Sequence, residues 1–111
     1  MKLSLVSLAL SLLALASVHA ADLTPAEAKN HVGETATVKG TVDQISKGPK
    51  AVFLNFGGKY PNHVFSAVSF TLPFAMLSKF DGKSVAVTGL IKDVEGKPEI
   101  VVTTLTQITV P

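Results

Sequence analysis

The sequence predicts an all-β domain, a small barrel of five strands with short helices, behind a removable N-terminal leader. Three observations carry this. Val, Ile, Leu and Phe alternate with polar residues over several short runs, and Gly, Pro, Asn and Asp mark the turns between them. The pattern Gly33-Glu34-x-Ala36-x-Val38-x-Gly40-x-Val42 recurs as Gly82-Lys83-x-Val85-x-Val87-x-Gly89-x-Ile91, each copy following a short predicted helix. Finally, the 111 residues contain no cysteine, so an exported domain has no disulfide staple and depends on its core, which a closed sheet would help to build.

The leader comes first in the chain. Lys2 precedes an apolar run from Leu3 to Val18, and Val18-His19-Ala20 places small side chains where a signal peptidase needs them. Residues 1–20 are therefore read as a cleavable signal peptide, and residues 21–111 as one domain, periplasmic or secreted. The other reading is an uncleaved anchor, the only membrane contact the sequence suggests. The run is near the lower length limit for a bilayer span, and no basic stop-transfer flank follows it. Without cysteine there is no attachment point for a lipoprotein lipid.

Past the leader, Thr24, Pro25 and Glu27 form a capping-box signature that opens a short helix through about His31. From Glu34 the period becomes two: Ala36, Val38 and Val42 share one face and Thr37, Lys39 and Thr41 the other. Gly40 lies on the inward face, where a missing side chain permits a bend or bulge. A turn at Ser46–Lys50, a strand at Ala51–Phe56, a turn at Gly57–Asn62 and a strand at Val64–Phe70 follow. The apolar stripe within Pro73–Phe80 predicts two helical turns, stopped by Asp81-Gly82. Strands at Ser84 to about Lys92 and at roughly Glu99–Val110, joined by a turn at Glu95–Pro98, complete the order α-β-β-β-α-β-β. Two copies of the echo are too few for a solenoid, so they read as the two long strands of a closed sheet, each bent at its inward glycine. A Greek-key barrel with its helix between strands three and four is the OB-fold arrangement.

The stretches HVGETATVKGTV, FLNFGGKYPNHVFSAV, FDGKSVAVTGLI and GKPEIVV make the resemblance more specific. Over residues 31–108 the chain resembles a small bacterial OB-fold family, often exported or joined to nuclease-related modules. The positions matching its motifs are Phe53, Leu54, Asn55, Phe56, Gly57, Tyr60 and Pro61, and in the hairpin Gly96, Lys97, Pro98 and Ile100. The resemblance implies nucleic-acid binding.

OB-folds bind across their second and third strands, between the loops joining strands one to two and four to five. That places Lys47, Lys50, Phe53, Asn55, Tyr60, His63, Phe65, Lys92 and Lys97 around one expected ligand surface. Rings there could stack bases and lysines could follow phosphates. Alternation puts Val52, Leu54 and Phe56 on one face and Phe53 and Asn55 on the other, with Phe56 the core residue and Phe53 the exposed one. Phe65 shares its face with Ala67 and Ser69 and fits either role. Phe74 and Phe80 are expected to pack against the barrel end. Tyr60-Pro61 reads either as a turn whose tyrosine pins the loop or as a stacking site, and Asn55 is expected to hydrogen-bond the turn backbone.

Catalysis finds little support. A metal-dependent nuclease wants clustered carboxylates and arginines, yet there is no arginine, and Asp43, Asp81, Asp93, Glu95 and Glu99 lie mostly at strand ends and turns. His31 and His63 are isolated from each other and from acids at ligand spacing, and no G-x-S-x-G elbow occurs. No catalytic residue, metal site or cofactor is predicted. Two partners remain. One is single-stranded DNA or RNA. The other is an envelope protein, a peptide or a small molecule, favoured by the lack of arginine and by a net charge of only +1 beyond residue 20.

Overall fold

The computed structural model describes residues 22–111, so the predicted leader lies outside the described residues. Strands β1 (Asp22–Leu23), β2 (Thr35–Lys47), β3 (Val52–Phe56), β4 (Phe65–Ser69), β5 (Ser84–Val94), β6 (Lys97–Val101) and β7 (Ile108–Thr109) form one sheet. The sheet curls into a partly closed ring in the order β2-β3-β4-β6-β5, with β5 returning to β2. β4 pairs with β6 in parallel and β1 with β2 in parallel, and the remaining pairs are antiparallel.

The ring turns its corner within β2. Residues 35–41 of that strand pair with β5, and residues from Val42 onward pair with β3. Between Val42 and Gln44 the register slips, so Asp43 is the extra residue of a bulge, which raises local twist and bends a strand. The bulge therefore sits three residues beyond Gly40. Gly40 is needed for a different reason: a Cβ there would lie 2.6 Å from Pro25 Cγ and 3.4 Å from Phe56 Cδ2. Its counterpart Gly89 likewise makes room for Ile100, whose Cγ2 would be 2.6 Å from an added Cβ.

Inward residues of the strands fill the ring: Val38, Val42, Leu54, Phe56, Val85, Val87, Ile91 and Ile100 are all buried. Leu77 and Phe80 plug it from helix α1 (Phe74–Leu77) and the 3-10 turn Ser78–Phe80, which lie between β4 and β5. Phe74, expected to pack there too, is partly exposed. The stripe closes over the core only at Leu77 and Phe80, and the Lys47 ammonium lies 6.0 Å from the Phe74 ring centroid.

Three elements differ from the sequence expectation. The first predicted helix is a 3-10 segment, Pro25–Asn30, although its capping box forms as expected: Glu27 N donates to Thr24 Oγ1 (3.2 Å) and Thr24 N to Glu27 Oε1 (2.8 Å). Asp22–Leu23 adds a short strand to β2. The long last strand is two short ones. The chain leaves β6 after Val101, passes through a 3-10 turn at Leu105–Gln107 and joins Ala86–Val87 of β5 as β7, on the edge away from β2. Gln107 holds this crossing, its Nε2 donating to the carbonyls of Thr88 and Val101 (3.0 Å each) and its Oε1 accepting from Thr103 N (2.8 Å).

Candidate functional site

Alternation along β3 sends Leu54 and Phe56 into the ring and Phe53 and Asn55 to its outer face. Antiparallel pairing then fixes their neighbours: Phe53 stands opposite Val68, and Asn55 opposite Ser66. The parallel β4–β6 register extends the second pair to Glu99, and β6–β5 extends it to Lys92. With Gln44 opposite Asn55 on β2, a polar row, Gln44-Asn55-Ser66-Glu99-Lys92, crosses five strands of the outer face. Above it lies a groove of about 650 Å³.

The turn after β3 closes one side of this groove. It is held down on the β2 bulge, where Gly58 N donates to Asp43 Oδ2 (2.7 Å) and Tyr60 N to Gln44 Oε1 (2.8 Å). Gln44 also accepts from Asn55 Nδ2 (2.9 Å), and Asn55 Oδ1 accepts from Ser66 Oγ (2.8 Å). Asn55 thus reaches the turn through Gln44, and at 1% exposure its carbonyl and the hydroxyl of Ser66 satisfy each other. The Tyr60 ring, 71% exposed, is stacked on His63 with centroids 5.9 Å apart and planes inclined by 24°. So the tyrosine caps the turn while keeping most of its surface in solvent.

The β5–β6 hairpin lines the groove with Val94, Glu95, Lys97 and Glu99. Lys97 Nζ donates to the carbonyls of Pro61 and His63, the latter at 2.8 Å, which ties the hairpin to the turn. Burial, and then the Lys97 charge, hold the His63 imidazole below its ordinary pKa, which favours its neutral form. Its Nδ1 is buried and finds no hydrogen-bond partner among the described residues. Burial raises the pKa of Glu99, opposed by Lys92 and reinforced by Glu95.

Of the residues expected at the ligand surface, Phe53, Asn55, Tyr60, His63 and Lys97 line the groove. Lys47 and Lys50 are exposed near the β2–β3 loop but do not line it, and Lys92 sits at the end of the polar row. Phe65 belongs to the core: it is fully buried, with its ring centroid 5.3 Å from that of Phe56. Just past the end of β4, Phe70 continues the outer-face row of Ser66 and Val68, lines the groove and is 62% exposed. Glu99 sits on β6 between Pro98 and Ile100, both of which are buried.

No family model matches the sequence, and no curated protein matches it. Solved structures do. A chain described as an aspartyl-tRNA synthetase from Leishmania major Friedlin superposes with a TM-score of 0.55 at 16% identity, covering 79% of this chain and 20% of that one. The asparaginyl-tRNA synthetase from Pyrococcus horikoshii gives 0.51 at 22% identity, over 74% of this chain and 20% of the synthetase. The OBody AM1L10, bound to hen egg-white lysozyme, gives 0.51 at 16% identity, over 75% of this chain and 84% of the OBody. The chain spans about a fifth of the synthetases it matches. At these identities the likeness is one of fold: a mostly β architecture with OB-fold neighbours.

Proposed function

We propose that this protein is a non-catalytic OB-fold binding module, exported after removal of residues 1–20, that takes single-stranded nucleic acid in the groove over β3 and β4. One observation carries the reading. The groove occupies the face and loops with which OB-folds bind oligonucleotides, and it brings together the rings of Phe53, Phe70 and Tyr60. Flat aromatic surfaces beside a shallow polar floor suit unstacked bases, which every nucleotide can supply. Lys47, Lys50, Lys59 and Lys92 are exposed in the loops and strands around it and would track the phosphates. Two of the fold neighbours are aminoacyl-tRNA synthetases, enzymes named for an RNA substrate. Among the groove's own groups Lys97 is committed to two carbonyls of the turn.

Fluorescence anisotropy with a labelled single-stranded oligonucleotide, repeated over a salt series, tests this. Four phosphate contacts would give a slope of log K against log salt of about −3. Absence of binding at low ionic strength would rule the reading out.

A second reading, in which the groove holds a protein or peptide, is favoured by Glu95 and Glu99 on its lining and by the OBody, which is bound to a protein. Binding of a peptide from envelope extract that oligonucleotide fails to displace would favour it.

A further inference from the structure

The polar row on the outer face is only partly self-sufficient. Gln44, Asn55 and Ser66 hydrogen-bond one another and the Tyr60 amide, but the carboxylate of Glu99, next in the row, makes no hydrogen bond or salt bridge among the described residues. Glu99 is half-buried, lines the groove and carries acceptors only. Its oxygens remain accessible, and donors that a ligand brings to a carboxylate form charge-assisted hydrogen bonds, stronger than neutral ones.

Base chemistry decides which ligand does so. The Watson–Crick edge of guanine presents N1–H and the N2 amino group side by side, spaced for the two oxygens of one carboxylate. Adenine and cytosine each present one amino donor next to a ring nitrogen acceptor, which would face the second oxygen. Thymine and uracil offer one N–H between two carbonyls. Only guanine meets a carboxylate with two donors and no opposing acceptor. Phe53 and Phe70, on the same groove, supply faces on which the base can stack.

We propose that Glu99 makes this groove a guanine reader, accepting from N1–H and N2–H of a base stacked against the groove's aromatic rings. The proposal rests on the nucleic-acid reading of the groove. It adds a base preference that neither arginine, absent from the sequence, nor the engaged Lys97 can provide.

The test is anisotropy with thymidine oligonucleotides carrying one central guanine, inosine, adenine or cytosine, alongside the all-thymidine strand. A single guanine avoids guanine-quadruplex formation, and inosine removes N2 while keeping N1–H. The guanine strand should bind about tenfold tighter than the all-thymidine strand, with inosine between them and adenine and cytosine near thymidine. In Glu99→Gln the guanine-to-thymidine ratio should fall to within about twofold of one, because an amide presents one donor and one acceptor. Equal wild-type affinities for guanine and thymidine strands would overturn the base preference and leave nucleic-acid binding standing. No binding by any strand would overturn both. A guanine preference that survives in Glu99→Gln, with the variant shown folded by its thermal transition, would overturn the assignment to Glu99.

Discussion

Asn55→Ala tests whether the polar row holds the groove together. The side chain donates to Gln44 Oε1 at 2.9 Å and accepts from Ser66 Oγ at 2.8 Å, and both Asn55 and Ser66 are almost wholly buried. Truncation removes two hydrogen bonds: loss of the one to Gln44 costs about 1 kcal/mol net, and loss of the one from Ser66 strands a buried hydroxyl at a cost of about 1–3 kcal/mol. Gln44 still accepts from the Tyr60 amide, so its carbonyl is not orphaned. The expected loss is about 2–4 kcal/mol, or a Tm lower by about 10–25 °C for a domain of this size. Urea unfolding of the two single variants and of Asn55→Ala/Ser66→Ala gives the decisive number. Removing the stranded hydroxyl should make the double variant less unstable than the sum of the singles, by about 1 kcal/mol or more. Strict additivity, or a loss below about 0.5 kcal/mol for Asn55→Ala, would refute the claim that these groups satisfy one another.

Phe53→Ala should weaken oligonucleotide binding by about 1–3 kcal/mol, read by anisotropy, while Phe65→Ala should cost about 3–5 kcal/mol of stability in urea. Glu99→Gln should be more stable than the wild type at pH 7. The folded-state pKa of Glu99 is raised, so its favourable contribution is complete below the unfolded value of 4.5 and disappears as pH rises through the folded value. The gain, held near the ~0.5 kcal/mol typical of partly exposed sites, should vanish in melts at pH 4. Protein recovered from the periplasm or medium of an exporting host should begin at Ala21 by intact mass, and retention of residues 1–20 would contradict cleavage.

The mostly β character and several of the strands were legible because their cues are local. The Thr24–Glu27 capping box, the paired glycine-bearing strands and the turn residues each act within a few positions, and β3 sorted correctly into Leu54 and Phe56 inside and Phe53 outside. β4 did not sort, because all of Phe65–Ser69 is buried and a strand covered on both faces loses the apolar-polar alternation that assigns a face. Phe65 therefore reads equally as core or as surface, and nothing in the pattern singles out Phe70. The break in the last strand had a local signal, Thr104 and Gln107 at capping-box spacing, hidden by the β-branched residues around it. Glu99 reaches the groove only through the parallel pairing of β4 with β6, a contact across more than thirty residues that no short-range pattern encodes. The bulge at Asp43 is of the same kind: its carboxylate and the neighbouring Gln44 carry a turn that begins about fifteen residues later.

The most direct test of the binding groove is an amide and aromatic NMR titration of the protein with a short single-stranded oligonucleotide. Perturbations should concentrate at Phe53, Tyr60, Val68, Phe70, Val94 and Glu99, and leave Thr37 and Thr88, which hydrogen-bond each other across β2 and β5, unmoved. Shifts centred on Thr37 and Thr88, or none anywhere at millimolar oligonucleotide, would contradict the account.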